Sequence, residues 1–249
     1  MKNFKIILIL ALMFAGSSLH SQVLLSLLFG DKLNSDGLEF GLEGGFNWSS
    51  IDNLDANKRL SSLNLGFYFD FRLKGQWNLY TGVLVKSKLG DEALSMGDLE
   101  FLGIEPKEEK GDYSQKINYF IVPALLKYNF KNRMYLEGGP QFGLMYKAWV
   151  EFTAENEERS TRIRDYNEDD INRLDAGFTI GTGYKLMPGN GMTLGIKYYH
   201  GLTNVYKGVS GSNNSSIFLK VNIPIGASVS ETAKNIDDTE DLENNIDKI

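Results

Sequence analysis

The 249 residues include no cysteine, two histidines and five prolines. Without Cys there is neither a disulfide framework nor a thiolate metal site. With only His20 and His200, a histidine-based metal cluster is excluded too. No apolar run reaches the roughly 20 residues that a membrane-spanning helix needs. The run from Ile6 to Ala15 follows Lys2 and Lys5 and precedes Gly16, Ser17 and Ser18. A charged start, a short apolar stretch and small residues predict a cleaved signal peptide over 1–22, cut near Ser21 or Gln22. An uncleaved anchor needs about twice that apolar length.

The abundant residues are 26 Gly, 15 Phe and 12 Tyr. Glycine and aromatics together are what a curved sheet with aromatic girdles requires. Period-two alternation supports the sheet. Leu63, Leu65, Phe67, Phe69, Phe71 and Leu73 share one face, and Asn64, Gly66, Tyr68, Asp70 and Arg72 the other. Between Leu38 and Trp48, Phe40, Leu42 and Phe46 oppose Glu39, Gly41, Glu43, Gly45 and Asn47. Further strands are predicted near 76–89, 116–130, 133–151, 172–185, 191–203 and 214–225, long enough to cross hydrocarbon when tilted.

A soluble β-sandwich also alternates, but its connections are short at both ends. Here Lys74-Gly75, Lys131-Asn132 and residues 187–190 predict tight turns, whereas 49–61, 90–115, 152–171 and 204–213 are long and polar. That asymmetry predicts an all-β fold: a transmembrane, antiparallel, up-and-down β-barrel of about eight strands over 23–226, turns periplasmic and loops outside. Trp48, Trp77, Phe130, Tyr146, Tyr184 and Tyr198 are expected at the headgroup level. The expected location is the outer membrane.

With apolar faces on lipid, the inner face collects Glu39, Glu43, Asp70, Arg72, Lys86, Lys127, Glu137, Lys147, Arg173, Asp175, Lys185, Lys197 and Lys220. Mixed charges in a narrow lumen must pair or stay hydrated. They are read as an ion-pair network holding the barrel closed, with a proton or solute path as the alternative. No cofactor is expected and no catalysis. The one arrangement weighed is His200 as base with Thr203, Ser210 or Ser212 as nucleophile. Gly177 to Gly183 is read as strand glycine, because no helix follows it.

The segment Asp91 to Gln115 carries Asp91, Glu92, Asp98, Glu100, Glu105, Glu108, Glu109 and Asp112 against Lys107 and Lys110. Such a loop repels anionic lipopolysaccharide and nucleic acid. Asn167-Glu168-Asp169-Asp170 offers oxygen ligands for calcium, but lacks EF-hand spacing and reads as solvated loop. Residues 227–249 are acidic, without aromatics or alternation, and read as a disordered tail. Val23 to Phe29 suits a short interfacial segment, a plug or an added strand.

Tyr119-Phe120-Ile121-Val122-Pro123-Ala124-Leu125-Leu126-Lys127-Tyr128, then Tyr135-Leu136-Glu137-Gly138-Gly139-Pro140-Gln141-Phe142-Gly143, resemble the PorT-like outer-membrane barrel proteins of Bacteroidetes. Gly41-Leu42-Glu43-Gly44-Gly45-Phe46-Asn47 looks like the opening strand of that family. The resemblance implies a barrel, and allows a role in gliding or type IX secretion; the acidic tail departs from the family pattern. The function classes carried forward are a structural or partner-binding barrel, a secretion accessory, and a pore or lipid-modifying enzyme. Outer-membrane lipids and an envelope protein are the expected partners, nucleic acid is not, and the oligomeric state is open.

Overall fold

The computed structural model describes residues 37–156, 159–186 and 191–225. The expected signal peptide, Val23 to Phe29, the 187–190 turn and the tail from 227 lie outside the described residues. The described strands belong to one compact unit, Ser35–Pro224. They are β1 (Leu38–Ile51), β2 (Lys58–Arg72), β3 (Trp77–Glu92), β4 (Asp112–Asn129), β5 (Met134–Asn156), β6 (Arg159–Tyr166), β7 (Leu174–Lys185), β8 (Thr193–Asn204) and β9 (Asn213–Pro224). One short helix, α1 (Met96–Phe101), follows β3.

The pairings are antiparallel and close on themselves. β1 to β5 follow in order, β5 pairs with β7, and β9 returns to β1, which gives a ring of eight strands. β6 stands off the ring, inside the stretch 152–171 that the sequence presents as loop. β5 is 23 residues long. Its first part pairs with β7 as far as Leu144, and from Trp149 it pairs with β6 instead. β4 runs along both parts. The sheet therefore projects past the ring as a flange made of β3, β4, β5 and β6.

Alternation decides which side chains meet which solvent. Leu63, Leu65, Phe67 and Phe71 on β2 and Leu136, Phe142 and Leu144 on β5 are exposed, as are Leu194 and Ile196 on β8. A continuous exposed apolar belt is a liability in water and a requirement in hydrocarbon. Trp77, Phe130 and Tyr184 are exposed near the short turns, and Trp48, Tyr146 and Tyr198 lie exposed further toward the long loops.

Two β-bulges break the alternation just beyond the belt. Between Leu84 and Ser87 β3 advances one residue more than β4, and around Tyr146 β5 does the same against Asn118 and Tyr119. An extra residue reverses the face of everything after it. Below the bulges Leu84 and Met145 point inward; above them Ser87, Leu89, Ala148 and Val150 do.

Close approach of strands requires glycine at Gly45. Its φ is +154°, and a Cβ there would lie 1.9 Å from the Leu219 carbonyl oxygen on β9. Gly45→Ala is expected to cost about 1–3 kcal/mol through strain at the β1–β9 seam. Gly44→Ala, whose Cβ would only touch Leu65 at 4.0 Å, serves as control. The check is the temperature at which folded, fast-migrating protein converts to the unfolded band on electrophoresis; equal temperatures for the two variants contradict the assignment.

Candidate functional site

The inward face of the turn-side half is charged. Lys197 on β8 reaches Glu43 on β1 at 3.0 Å, and Lys127 on β4 meets Asp70 on β2 at 2.6 Å. Lys220 on β9 lies 2.6 and 2.9 Å from the two carboxylate oxygens of Glu137 on β5. All six side chains are buried. Tyrosines pack between them. The Tyr80 hydroxyl donates to Glu43 and accepts from Asn222 Nδ2, and the Lys220 ammonium sits 4.0 Å over the Tyr80 ring. Lys127 lies 4.5 Å over the Tyr135 ring. The Tyr199 hydroxyl donates to Asp175 at 2.8 Å, and Tyr68 donates to the half-buried Glu39 at 2.8 Å.

Other residues expected in this network lie elsewhere. Arg72 and Arg173 are exposed at strand ends, and Lys185 is half-buried near the short turns. Lys86 is exposed and Lys147 half-buried against the exposed Tyr166 ring, 4.8 Å from its centre. Both follow a bulge, so the parity that puts Tyr80 and Glu137 inside puts these two outside. The buried tyrosines are what a sequence reading for ion pairs misses. Their signal is that Tyr68 shares the polar face with Asp70.

The loop-side half of the interior combines an apolar cluster with buried polar groups such as Asp175, Gln115 and Asn214. Leu84, Leu89, Ile117, Ile121, Phe218 and Ile51 pack together there. Above them Leu94, Leu99, Tyr113, Val150 and Phe152 form a second cluster, and Leu54 and Leu102 touch both. The long connections thus fold over the barrel mouth as a cap. α1 is started by a reciprocal pair in which Ser95 Oγ accepts from the Asp98 N–H at 3.1 Å and Asp98 Oδ2 accepts from the Ser95 N–H at 2.7 Å. Asp98 Oδ1 also accepts from the Asp55 N–H, and Asp91 accepts from the Ile51 N–H at 2.6 Å. Two carboxylates of the acidic 91–115 segment are therefore buried ties, Asp91 from the end of β3 to the end of β1 and Asp98 to the β1–β2 connection.

No nucleophile and base come together at His200. Its ring is exposed on the outer face, whereas Ser212 is buried and donates to the Val209 carbonyl, and Thr203 donates to Asp175 at 3.3 Å. Asn167 turns inward to Gln115 at 2.9 Å, and Glu168–Asp170 form a 3₁₀ turn. Among the described residues no three acidic or histidine side chains converge as metal ligands.

A family model described as outer membrane protein beta-barrel domain matches residues 29–207. The chain belongs to that family. It is an outer-membrane protein. Solved structures with a similar course include Ail, the attachment invasion locus protein of Yersinia pestis, in complex with the heparin analogue sucrose octasulfate. That likeness has 12% identity and a TM-score of 0.40 and covers 76% of this chain and 99% of that one. Neisserial surface protein A is 9% identical, with a TM-score of 0.39 over 76% of this chain and 97% of its own. OprG from Pseudomonas aeruginosa is 13% identical, with a TM-score of 0.32 over 76% and 93%. No curated protein matches the chain.

In this outer-membrane barrel, Glu137→Ala leaves the buried Lys220 ammonium without its carboxylate. The expected loss is about 3–5 kcal/mol. Glu108→Ala, in the exposed part of the cap, should stay within about 0.5 kcal/mol. Thermal unfolding of the purified variants compares them.

The cap should respond to pH through Asp91, which lies well past Val85, the last exposed apolar residue of β3. Burial, opposed by the Ile51 N–H and reinforced by the Asp98 charge, pushes the Asp91 carboxyl up to about 7 from 3.8. Between those values the folded cap keeps a proton that the unfolded chain has released. Its stabilisation is therefore complete below the unfolded value and is lost as pH rises through about 7. Protease cleavage within 93–111 should be slower at pH 5 than at pH 8, after correction for protease activity. Asp91→Asn should remove most of the difference.

Proposed function

We propose that the protein is a closed outer-membrane barrel with a structural or partner-binding role, acting through its cap rather than through a pore or a catalytic centre. The observation that carries this reading is the filled interior: three buried lysine–carboxylate pairs in one half and an apolar cluster in the other. Eight strands enclose a space that side chains can fill, whereas diffusion porins use about 16 to 18. The long loops face outside and the short turns face the periplasm, as in barrels of this type. The exposed His200 and the absence of a joined nucleophile favour a non-catalytic role.

An envelope protein is the partner class proposed for the cap. Exposed Met96 and Phe101 on α1 give it an apolar contact surface. The PorT-like motifs of β4 and β5 favour a second reading, an accessory of type IX secretion in a Bacteroidetes cell envelope. Stable co-purification with components of that machinery is its test.

Protein reconstituted in planar bilayers is expected to give no large, stable conductance steps. Porin-like steps in the wild type would overturn the closed-barrel reading.

A further inference from the structure

The reversal of faces above the bulges gathers cations on the outer surface of the flange. Lys86 and Lys88 on β3, Lys116 on β4, Lys147 on β5, and Arg162 and Arg164 on β6 share that surface by register. At its centre is Trp149, with Lys88 5.4 Å and Arg164 5.2 Å from the ring. The carboxylate of Glu151 is set among them. It takes ion pairs from Lys116 and from Arg164 at 2.8 Å, with Arg162 at 3.8 Å. Burial opposes its ionisation, but hydrogen bonds from Lys116 and Arg164 hold its pKa at about 2. Glu92, on the same face of β3, is paired with Lys58 at 2.9 Å.

Asp112 on β4 lies in register with Thr153 and Arg162 on the same face, and six cations against Glu151 and Asp112 still leave a positive surplus. The Lys88 ammonium registers it: partial burial, then the charges of Lys116, Arg164 and Lys86, lower its pKa against the pull of Glu151. Arg162 and Arg164 remain 58% and 43% exposed. The height of the strip is set by its neighbours. Val85, Phe120 and Tyr146, the last exposed apolar residues on β3, β4 and β5, lie directly below it. An anion that meets these cations while its tail follows the apolar belt is a lipid headgroup.

We propose that this strip is a docking surface for the phosphate groups of an outer-leaflet glycolipid, held by Lys86, Lys88, Arg162 and the exposed edge of Arg164. Arginine and lysine at a belt edge suit a phosphate monoester, which takes several charge-assisted hydrogen bonds at once. The assignment rests on the long-loop end facing outside, as set out above. It stands beside the expectation that the segment Asp91 to Gln115 repels anionic lipopolysaccharide. The acidic segment lies in the cap, and the strip lies below it at the membrane edge.

The test uses the purified full-length protein in nonionic detergent, titrated with diphosphorylated lipid A and followed by native mass spectrometry. The same lipid stripped of its phosphates should bind about tenfold more weakly, and inorganic phosphate alone should bind more weakly still. The K86Q/K88Q/R162Q variant keeps the two closest Glu151 partners, Lys116 and Arg164, gives up only the 3.8 Å contact of Arg162, and should lose about tenfold in affinity for the phosphorylated lipid. Equal binding of the two lipids, or unchanged affinity in a folded triple variant, overturns the proposal. Inorganic phosphate binding as tightly as the lipid overturns the choice of a lipid. If the variant does not fold, the wild-type comparison of the two lipids decides alone. Porin-like conductance would defeat the closed-barrel reading without touching this result, so the two failures are distinguishable.

Discussion

Hydrocarbon offers no water to pair a free N–H or C=O, so a sheet that crosses a membrane has to close. In this chain closure is the pairing of β1 with β9, and it requires a glycine where the two backbones approach most closely. Closing at eight strands leaves a narrow interior. A charge placed there must be paired or hydrogen-bonded: Asp175 accepts from the Tyr199 and Thr203 hydroxyls, and six others form ion pairs. Each of the three buried pairs joins strands that share no hydrogen bonds: β8 to β1, β9 to β5 and β4 to β2. The pairs tie together strands that are not neighbours in the ring, which the backbone ladder cannot do.

The part of this plan legible in the sequence is the part that obeys period two without interruption. Leu63 to Phe71 alternates cleanly and lies on the belt, and Glu43, Lys127, Glu137, Lys197 and Lys220 sit on inward positions of strand stretches that precede or lack a bulge. Their partners were not legible, because who meets whom across the bore depends on strand stagger, which no single strand records. β6 was hidden for a different reason. Its faces differ in charge rather than hydropathy, with Arg162 and Arg164 on one side and Ile163 and Asp165 on the other.

The cap was disguised by composition. Its apolar residues, Leu54, Leu94, Leu99 and Leu102, are scattered through acidic sequence with no period, and they meet only because the loops converge over one mouth. A local sign was available in Ser95 and Asp98, whose spacing is that of a helix-starting reciprocal pair. Counting charge conceals it, since Asp98 and Asp91 add to the acidic total of 91–115 although each accepts a backbone N–H from a residue distant in sequence, Asp55 and Ile51.

The bulges connect what is inside the distal barrel to what is outside it. One extra residue in β5 turns Lys147, Trp149 and Glu151 outward, and the same step turns Ala148, Val150 and Phe152 inward onto the apolar clusters. In β3 the corresponding step exposes Lys86 and buries Leu89. Without the extra residues the cations would project into a dry cap with few carboxylates to meet them, and the leucine, valine and phenylalanine would face the headgroup region. The apolar seal and the basic strip are thus two faces of one register change. A β-strand gives its faces opposite characters, so a barrel that must be charged inside where it crosses lipid and apolar inside where it is capped has to invert somewhere. The inversion sits at the belt edge, where the surroundings outside change from hydrocarbon to headgroups.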